Sequence, residues 1–252
     1  MESIAGRNWT GSAPNDNLRA CSRAGSLAWR ESLTIMSFKE DLDRIRAEGL
    51  ADPKINAAYQ TVIGQLGRAE TASQALKVGD PMPPFVLPNA EGRLVASDEL
   101  LAQGALVINF FRGNWCPYCQ CTLQALEAAL PRIKAAGGAL VALTPDVGSH
   151  LTEAKQESHL TYDVLSDVDG AVALQFGILF RAPPIYRELL AGFGVDLEER
   201  HGNAGWLMPM PASFVVDRKG ILRYAFVNAD FTLRADPDEI VRVLQALKEP
   251  AP

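Results

Sequence analysis

The chain is 252 residues long, 48% hydrophobic and 21% charged, and its 24 basic and 30 acidic side chains leave a formal net charge of −6. That is enough for one large core, or a core plus a small accessory unit, and the acidic balance argues against nucleic acid or anionic lipid as partners. No stretch approaches the ~18 consecutive apolar residues of a membrane span. Residues 1–35 are rich in Ser, Gly, Asn and Arg without a sustained period, which predicts a disordered tail. They also lack the compact apolar run of a signal peptide, so the expected compartment is the cytoplasm. Met36 opens a clearer pattern and offers an alternative translation start, the first 35 residues then being an over-extended gene reading.

After Met36, Phe38, Leu42 and Ile45 fall on one helical face. Asp52-Pro53 is a start signal for a second helix through INAAYQTVIGQLGRAETASQAL, because Asp caps a helix and Pro suits its first position. Residues 36–76 are therefore expected to form a helical arm, read as a docking or homodimer-forming appendage without chemistry. The main domain is expected over 77–252. PPFVLPNAEGRLVASDELL predicts a short strand, a turn at Gly92, another short strand and a helix start. ALVINFF (105–111) and ALVALTP (139–145) are continuous apolar runs, the mark of strands buried on both faces. The helix between them, ended by Gly137-Gly138, makes a βαβ unit with a parallel pair. A helix over HLTEAKQESHL, a strand at YDVLSD and a short helix at GAVALQFGI follow. Residues 180–208 read as an insertion without a sheet period, ASFVVD and ILRYAFV as a hairpin turning at Gly220, and PDEIVRVLQALK as the last helix. The fold class is α/β: a thioredoxin fold, with a central mixed sheet flanked by helices.

Of four cysteines, Cys116, Cys119 and Cys121 lie within six residues and cannot staple distant parts of the chain; Cys21 stands apart. In a reducing compartment such a cluster points to catalysis or metal binding. A buried strand delivers the segment to its C-terminal edge, where open α/β sheets carry their sites. Cys116 then falls at a helix N-terminus, where free N–H groups and the macrodipole favour a thiolate over the ordinary thiol, pKa ~8.5. Pro117 suits the first turn. Cys119 follows one turn later on the same side, within reach of a disulfide. Trp115 is expected to shield the pair. The Cys119-Gln120-Cys121 step and the distant His150, His159 and His201 fit a metal site poorly, so no metal and no cofactor is expected. The three histidines read as solvated or surface residues. Cys121 reads as a small buried residue or an occasional third thiol, and Arg181, Tyr186 and Arg187 as packing residues that could line an entrance.

VGDPMPPFVLPNAEGRLV, GGALVALTPD, YDVLSDVDGAVALQFGI and PASFVVDRKGILRYAF resemble the alkyl hydroperoxide reductase C/thiol-specific antioxidant (AhpC/TSA, peroxiredoxin) family over residues 77 to about 247. The resemblance is strongest for its peroxiredoxin-like subgroup, which carries an RGxWCPYC segment. It implies reduction of hydroperoxides, with regeneration by a thioredoxin or glutathione type reductant. The family's Pro and Thr before the peroxidatic Cys are absent. Aligning that Cys with Cys119 puts Arg112 and Cys116 in their places; aligning it with Cys116 puts Asn109 and Gly113 there. The family's second Arg is replaced by Pro211. Pro before this strand resembles thioredoxins, where it is cis beside the cysteines, so Met210-Pro211 is the candidate cis peptide.

The expected site is Cys116 and Cys119, supported by Arg112, Trp115, Pro117, Tyr118 and Pro211. Helix-dipole reasoning makes Cys116 the nucleophile and Cys119 the resolver; the family spacing that favours Cys119 reverses them. Two other readings stand beside the peroxidase: a thioredoxin-like disulfide reductase, and a non-catalytic thioredoxin-fold adaptor.

Overall fold

The computed structural model describes residues 37–248. The expectations for residues 1–35, for Met36 as a start and for Cys21 lie outside the described residues. Helices α1 (Phe38–Ala51) and α2 (Pro53–Arg68) open the described chain. The first begins with a reciprocal Ser37/Glu40 capping box, the second with Asp52 accepting from the Lys54 and Ile55 N–H groups ahead of Pro53. A short α3 (Thr71–Gln74) and the hairpin of β1 (Val86–Pro88) and β2 (Leu94–Ala96) lead through α4 (Ser97–Gln103) into β3 (Ala105–Phe110).

All six residues of β3 are buried, as the unbroken apolar run requires of a strand covered on both faces. It lies at the middle of a five-stranded sheet. Parallel to it run β4 (Gly138–Thr144) and then β5 (Asp163–Ser166); on its other side β8 (Ala212–Val216) pairs antiparallel with β3, and β9 (Leu222–Val227) antiparallel with β8. The long helix α5 (Pro117–Ala135) crosses over between β3 and β4, and α6 (Ser149–Glu157) between β4 and β5. The β8–β9 turn closes on Asp217, which accepts from the Lys219 and Ile221 N–H groups, with Gly220 at φ 78°. This is the mixed, helix-flanked sheet expected of a thioredoxin fold. Among the described residues no helix is long and apolar enough to cross a membrane.

Alternation along β3 divides the core. Leu106, Ile108 and Phe110 face one apolar cluster, and Ala105 and Val107 the other, with Leu123 and Leu126 of α5 and Ile240 and Leu244 of the final helix α10 (Pro237–Lys248). Between β5 and β8, α7 (Ala171–Gln175) is followed by the insertion, which carries β6 (Leu179–Arg181), α8 (Pro184–Gly192), α9 (Leu197–His201) and β7 (Leu207–Pro209).

The arm is not an appendage. Ala58, Val62 and Leu66, a stripe at i, i+4, i+8 on α2, are buried in the first cluster with Tyr186 and Leu190 of α8, and Leu42 of α1 is buried in the second. An apolar helical stripe must be covered, and here the insertion covers it. The insertion in turn contains a sheet that its sequence hides: β6 and β7 pair antiparallel from Leu179↔Pro209 to Arg181↔Leu207 and bracket α8 and α9. Three-residue strands are too short to print an alternating pattern.

The cis expectation also fails: no peptide bond among the described residues is cis, so Met210-Pro211 is trans. Pro211 is buried in the two-residue link from β7 to β8, where the Met210 N–H is already held by the Ile178 carbonyl. With the chain fixed on both sides, the trans form preferred by ~0.5–1 kcal/mol is kept.

Candidate active site

Strand β3 ends at Phe110, and the next five residues turn the chain into α5. Gly113 takes φ 145°, and a Cβ there would lie 2.3 Å from Trp115 Nε1, so a side chain at 113 would collide with the indole. Cys116 is the N-cap of α5, in extended conformation, and Pro117 occupies the first helical position. The Cys119 and Gln120 N–H groups donate to the Cys116 carbonyl at 2.9 and 3.0 Å, which brings Cys119 over Cys116 one turn on. Both side chains have no exposed surface, and their sulfurs hydrogen-bond to each other.

Arg112 is buried against the pair. It is 1% exposed; one amino group, Nη2, donates to Cys116 Sγ at 3.0 Å, and the other, Nη1, donates to the Tyr186 hydroxyl. Its Cζ stands 4.2 Å from the Phe231 ring, 5.3 Å from Trp115 and 5.6 Å from Tyr186. A second guanidinium, Arg234, reaches Cys119 Sγ at 3.7 Å. Burial by itself would raise the Cys116 thiol, but the Cys119 hydrogen bond and the charges of Arg112 and Arg234 outweigh it and hold Cys116 well below the ordinary thiol range. Burial, and then the proximity of the Cys116 thiolate, push Cys119 well above it. The two sulfurs are thus pushed apart, Cys116 toward the thiolate and Cys119 toward the protonated thiol.

A roof of aromatic rings closes over this floor. Tyr59 of α2 packs edge-on against Phe231 at 4.8 Å and lies 6.4 Å from both Tyr118 and Tyr186. Burial raises the Tyr59 phenol to about 12. The arm, the insertion and the loop between β9 and α10 thus each send a side chain to the cysteines.

Of the expected supporting residues, Arg112, Trp115, Pro117 and Tyr118 converge here, Trp115 half-buried against both cores. Pro211 is buried in the link between β7 and β8. Cys121 is buried on α5, about 200° round the helix from Cys119 at 100° per residue. Tyr186 is a site residue rather than packing, whereas Arg187 and Arg181 stand over Trp206 on the insertion at 3.5 and 5.4 Å.

A second ring of contacts holds the turn. Asp146, fully buried after β4, accepts the Asn114 N–H and, from Arg200 of α9, Nε at 3.2 Å and Nη2 at 2.7 Å. Asn114 is gripped further by Ser158, Glu157 and Gln120. His201, expected at the surface, is 2% exposed and 3.9 Å from Asp146. Burial, then the nearby charges of Arg200 and His150, lower it to about 4, so it is neutral. The polar sequence around it disguised that burial. His150 is partly covered beside Glu153, and His159 is exposed.

Tyr59, Phe231, Arg234, Asp146 and Arg200 escaped the sequence reading. Only Tyr59 left a trace, as a phenol on the apolar stripe of α2. Arg234 sits in NADFTLRADP, where no period or motif marks it.

Residues 78–225 match the AhpC/TSA family. A putative peroxiredoxin of Mycobacterium tuberculosis is 25% identical over 179 residues, 69% of this chain and 99% of that protein. Peroxiredoxin Bcp of Escherichia coli is 30% identical over 103 residues, 41% of this chain and 65% of that one. Among solved structures, peroxidoxin BcpB from Mycobacterium tuberculosis superimposes with a TM-score of 0.53 at 22% identity, over 68% of this chain and 97% of that one, a likeness of fold.

Proposed function

The chain belongs to the AhpC/TSA family of thiol-dependent peroxidases, and from that membership we propose that it reduces hydroperoxides through a dithiol–disulfide cycle in which Cys116 attacks and Cys119 resolves. The observation that carries the assignment is the 3.0 Å hydrogen bond from Arg112 to Cys116 Sγ. It holds the charge on Cys116, while Cys119 keeps its proton. The family spacing favours Cys119 as attacker; the electrostatics favour Cys116, and nucleophilicity follows the thiolate.

In this reading the Cys116 thiolate attacks one peroxide oxygen, the O–O bond breaks, and the alkoxide or hydroxide leaves with the opposite charge centre of Arg112 or Arg234 beside it. These two guanidiniums stand in for the Thr and Arg that the sequence lacks. Cys116 becomes a sulfenic acid; the Cys119 sulfur displaces its hydroxyl as water and closes the disulfide. A thioredoxin or glutathione type reductant returns the pair to the dithiol, consistent with a reducing cytoplasm. If the chain forms a homodimer through the arm, it does so through the faces of α1 and α2 turned away from the core.

The second reading, a protein disulfide reductase, is favoured by the helix-capping position of Cys116 in a Cys-Pro-Tyr-Cys segment, which suits thiol–disulfide exchange as well. An adaptor has no need of two arginines aimed at two sulfurs. The discriminating experiment follows Trp fluorescence as pre-reduced protein meets hydrogen peroxide or an organic hydroperoxide without any reductase. Fast stoichiometric oxidation supports the peroxidase; oxidation no faster than that of a free thiol, with rapid reduction of insulin, supports the reductase.

A further inference from the structure

Arg112 is an almost wholly buried cation without an acid. Among the described residues no carboxylate pairs with it: its polar partners are the Tyr186 hydroxyl and the Cys116 sulfur, and three aromatic rings surround the rest. Its Nε, equally buried, has no hydrogen-bond partner among the described residues. Arg234, which is half-buried, bonds to the Leu233 carbonyl and Cys119 Sγ and to no acid among the described residues. An isolated charge taken from water is strongly destabilised unless an opposite charge is beside it. The Cys116 thiolate is therefore the counter-ion of Arg112.

The dithiol cycle abolishes that counter-ion. From the resting state, Cys116–S⁻, Cys119–SH and ROOH give the Cys116–Cys119 disulfide, ROH and hydroxide. The two sulfurs lose two electrons, the O–O bond takes them, and the hydroxide gains a proton from solvent. The disulfide is neutral, while a guanidinium cannot release its proton to compensate. The neighbouring phenols Tyr59 and Tyr186 stay protonated, because burial raises both.

We propose that the oxidised protein binds one small monovalent anion, a halide or a carboxylate, between Arg112 and Arg234 where the thiolate charge was, and that the redox equilibrium of the pair is thereby linked to anion concentration. The unused Nε of Arg112 supplies a donor, and the Tyr186 hydroxyl fixes the guanidinium plane. This inference rests on the dithiol–disulfide reading above. An anion that binds only the oxidised form pulls the equilibrium toward the disulfide by mass action. Above its dissociation constant, each tenfold rise in anion shifts the thiol–disulfide equilibrium tenfold, which lowers the potential of a two-electron couple by about 30 mV.

The test equilibrates the full-length protein with graded dithiothreitol buffers at fixed pH and reads the disulfide fraction by thiol titration. Sodium chloride is raised in tenfold steps in one arm and sodium formate in another, with bulkier sodium methanesulfonate holding ionic strength constant. The expected result is a potential falling toward 30 mV per tenfold anion, a slope absent in Arg112→Met. Dependence on chloride alone makes the site a halide site, and on formate alone a carboxylate site. Should Arg112→Met not fold, Arg234→Gln carries the same comparison. A disulfide that forms with a potential flat across both arms overturns the anion site and leaves the dithiol cycle standing, as does an undiminished slope in the variant. Failure of Cys116 and Cys119 to form a disulfide at all overturns both.

Discussion

The floor and the roof of the site are built in opposite ways. The floor, from β3 through the first turn of α5, is local: Arg112, Trp115, Cys116 and Cys119 lie within eight residues, and the strand-to-helix turn and the first turn of α5 bring them together. The roof is long-range. Tyr59, Tyr186, Phe231 and Arg234 come from three segments spread over 176 positions, and tertiary packing alone brings them to the cysteines. The floor supplies a thiol that a helix terminus can ionise; the roof excludes water, so that Arg112 acts on it at short range in a low dielectric. Reactivity is written in a motif, and its magnitude is set by segments that carry none.

If the roof is part of the core, cutting into the arm must cost global stability. Leu66→Ala is expected to lose about 2–5 kcal/mol in denaturant unfolding, since Leu66 is 1% exposed between α2 and the insertion. A loss within experimental error would return the arm to an appendage. Arg112→Met, which removes the link between floor and roof, is expected to slow peroxide oxidation by about 10²–10³-fold. It should also raise the pH at which Cys116 alkylation reaches half its maximum; an unchanged pH profile would mean that the helix terminus alone ionises the thiol.

The insertion gives a pH signature. His201 is held near 4 when folded and has an ordinary value of 6.5 when unfolded, so folding favours its neutral form. Its contribution is therefore fully present above pH 6.5 and is lost as pH falls through about 4. The amount is at most about 3 kcal/mol, the free energy that corresponds to moving the imidazole from 6.5 to about 4. His201→Asn should flatten that part of the unfolding free energy against pH, and an unchanged curve would place the effect elsewhere. The smallest expected effect is Tyr186→Phe, about fivefold in oxidation rate, corresponding to one hydrogen bond of ~1 kcal/mol holding the Arg112 plane. A rate equal to the parent's would leave Phe231 and Trp115 as sufficient support.

The same contrast explains what the sequence disclosed. The β3 and β4 runs, the Asp52-Pro53 start, the Gly220 hairpin and the capping cysteine each follow from periodicity or local backbone chemistry, and each stands where expected. The trans state of Met210-Pro211 was not legible, because an X–Pro bond is biased by less than 1 kcal/mol and the surrounding strands decide it. Nor was the burial of His201, whose neighbours Glu198, Glu199, Arg200 and Asn203 read as a solvated loop. Arg234 was invisible because its value lies wholly in its distance from Cys119. Pro211, where the family's second Arg was sought, carries no charge, and the charge arrives from another segment.

The central claim, that Cys116 is the attacking thiolate, is tested most directly by mixing pre-reduced Cys119→Ser and Cys116→Ser proteins rapidly with hydrogen peroxide. The account predicts that Cys119→Ser reacts fast and stops at a sulfenic acid on residue 116, trapped by dimedone and seen by mass spectrometry, while Cys116→Ser reacts no faster than a free thiol. Fast oxidation of Cys116→Ser, with a sulfenic acid on Cys119 and a sluggish Cys119→Ser, would contradict it.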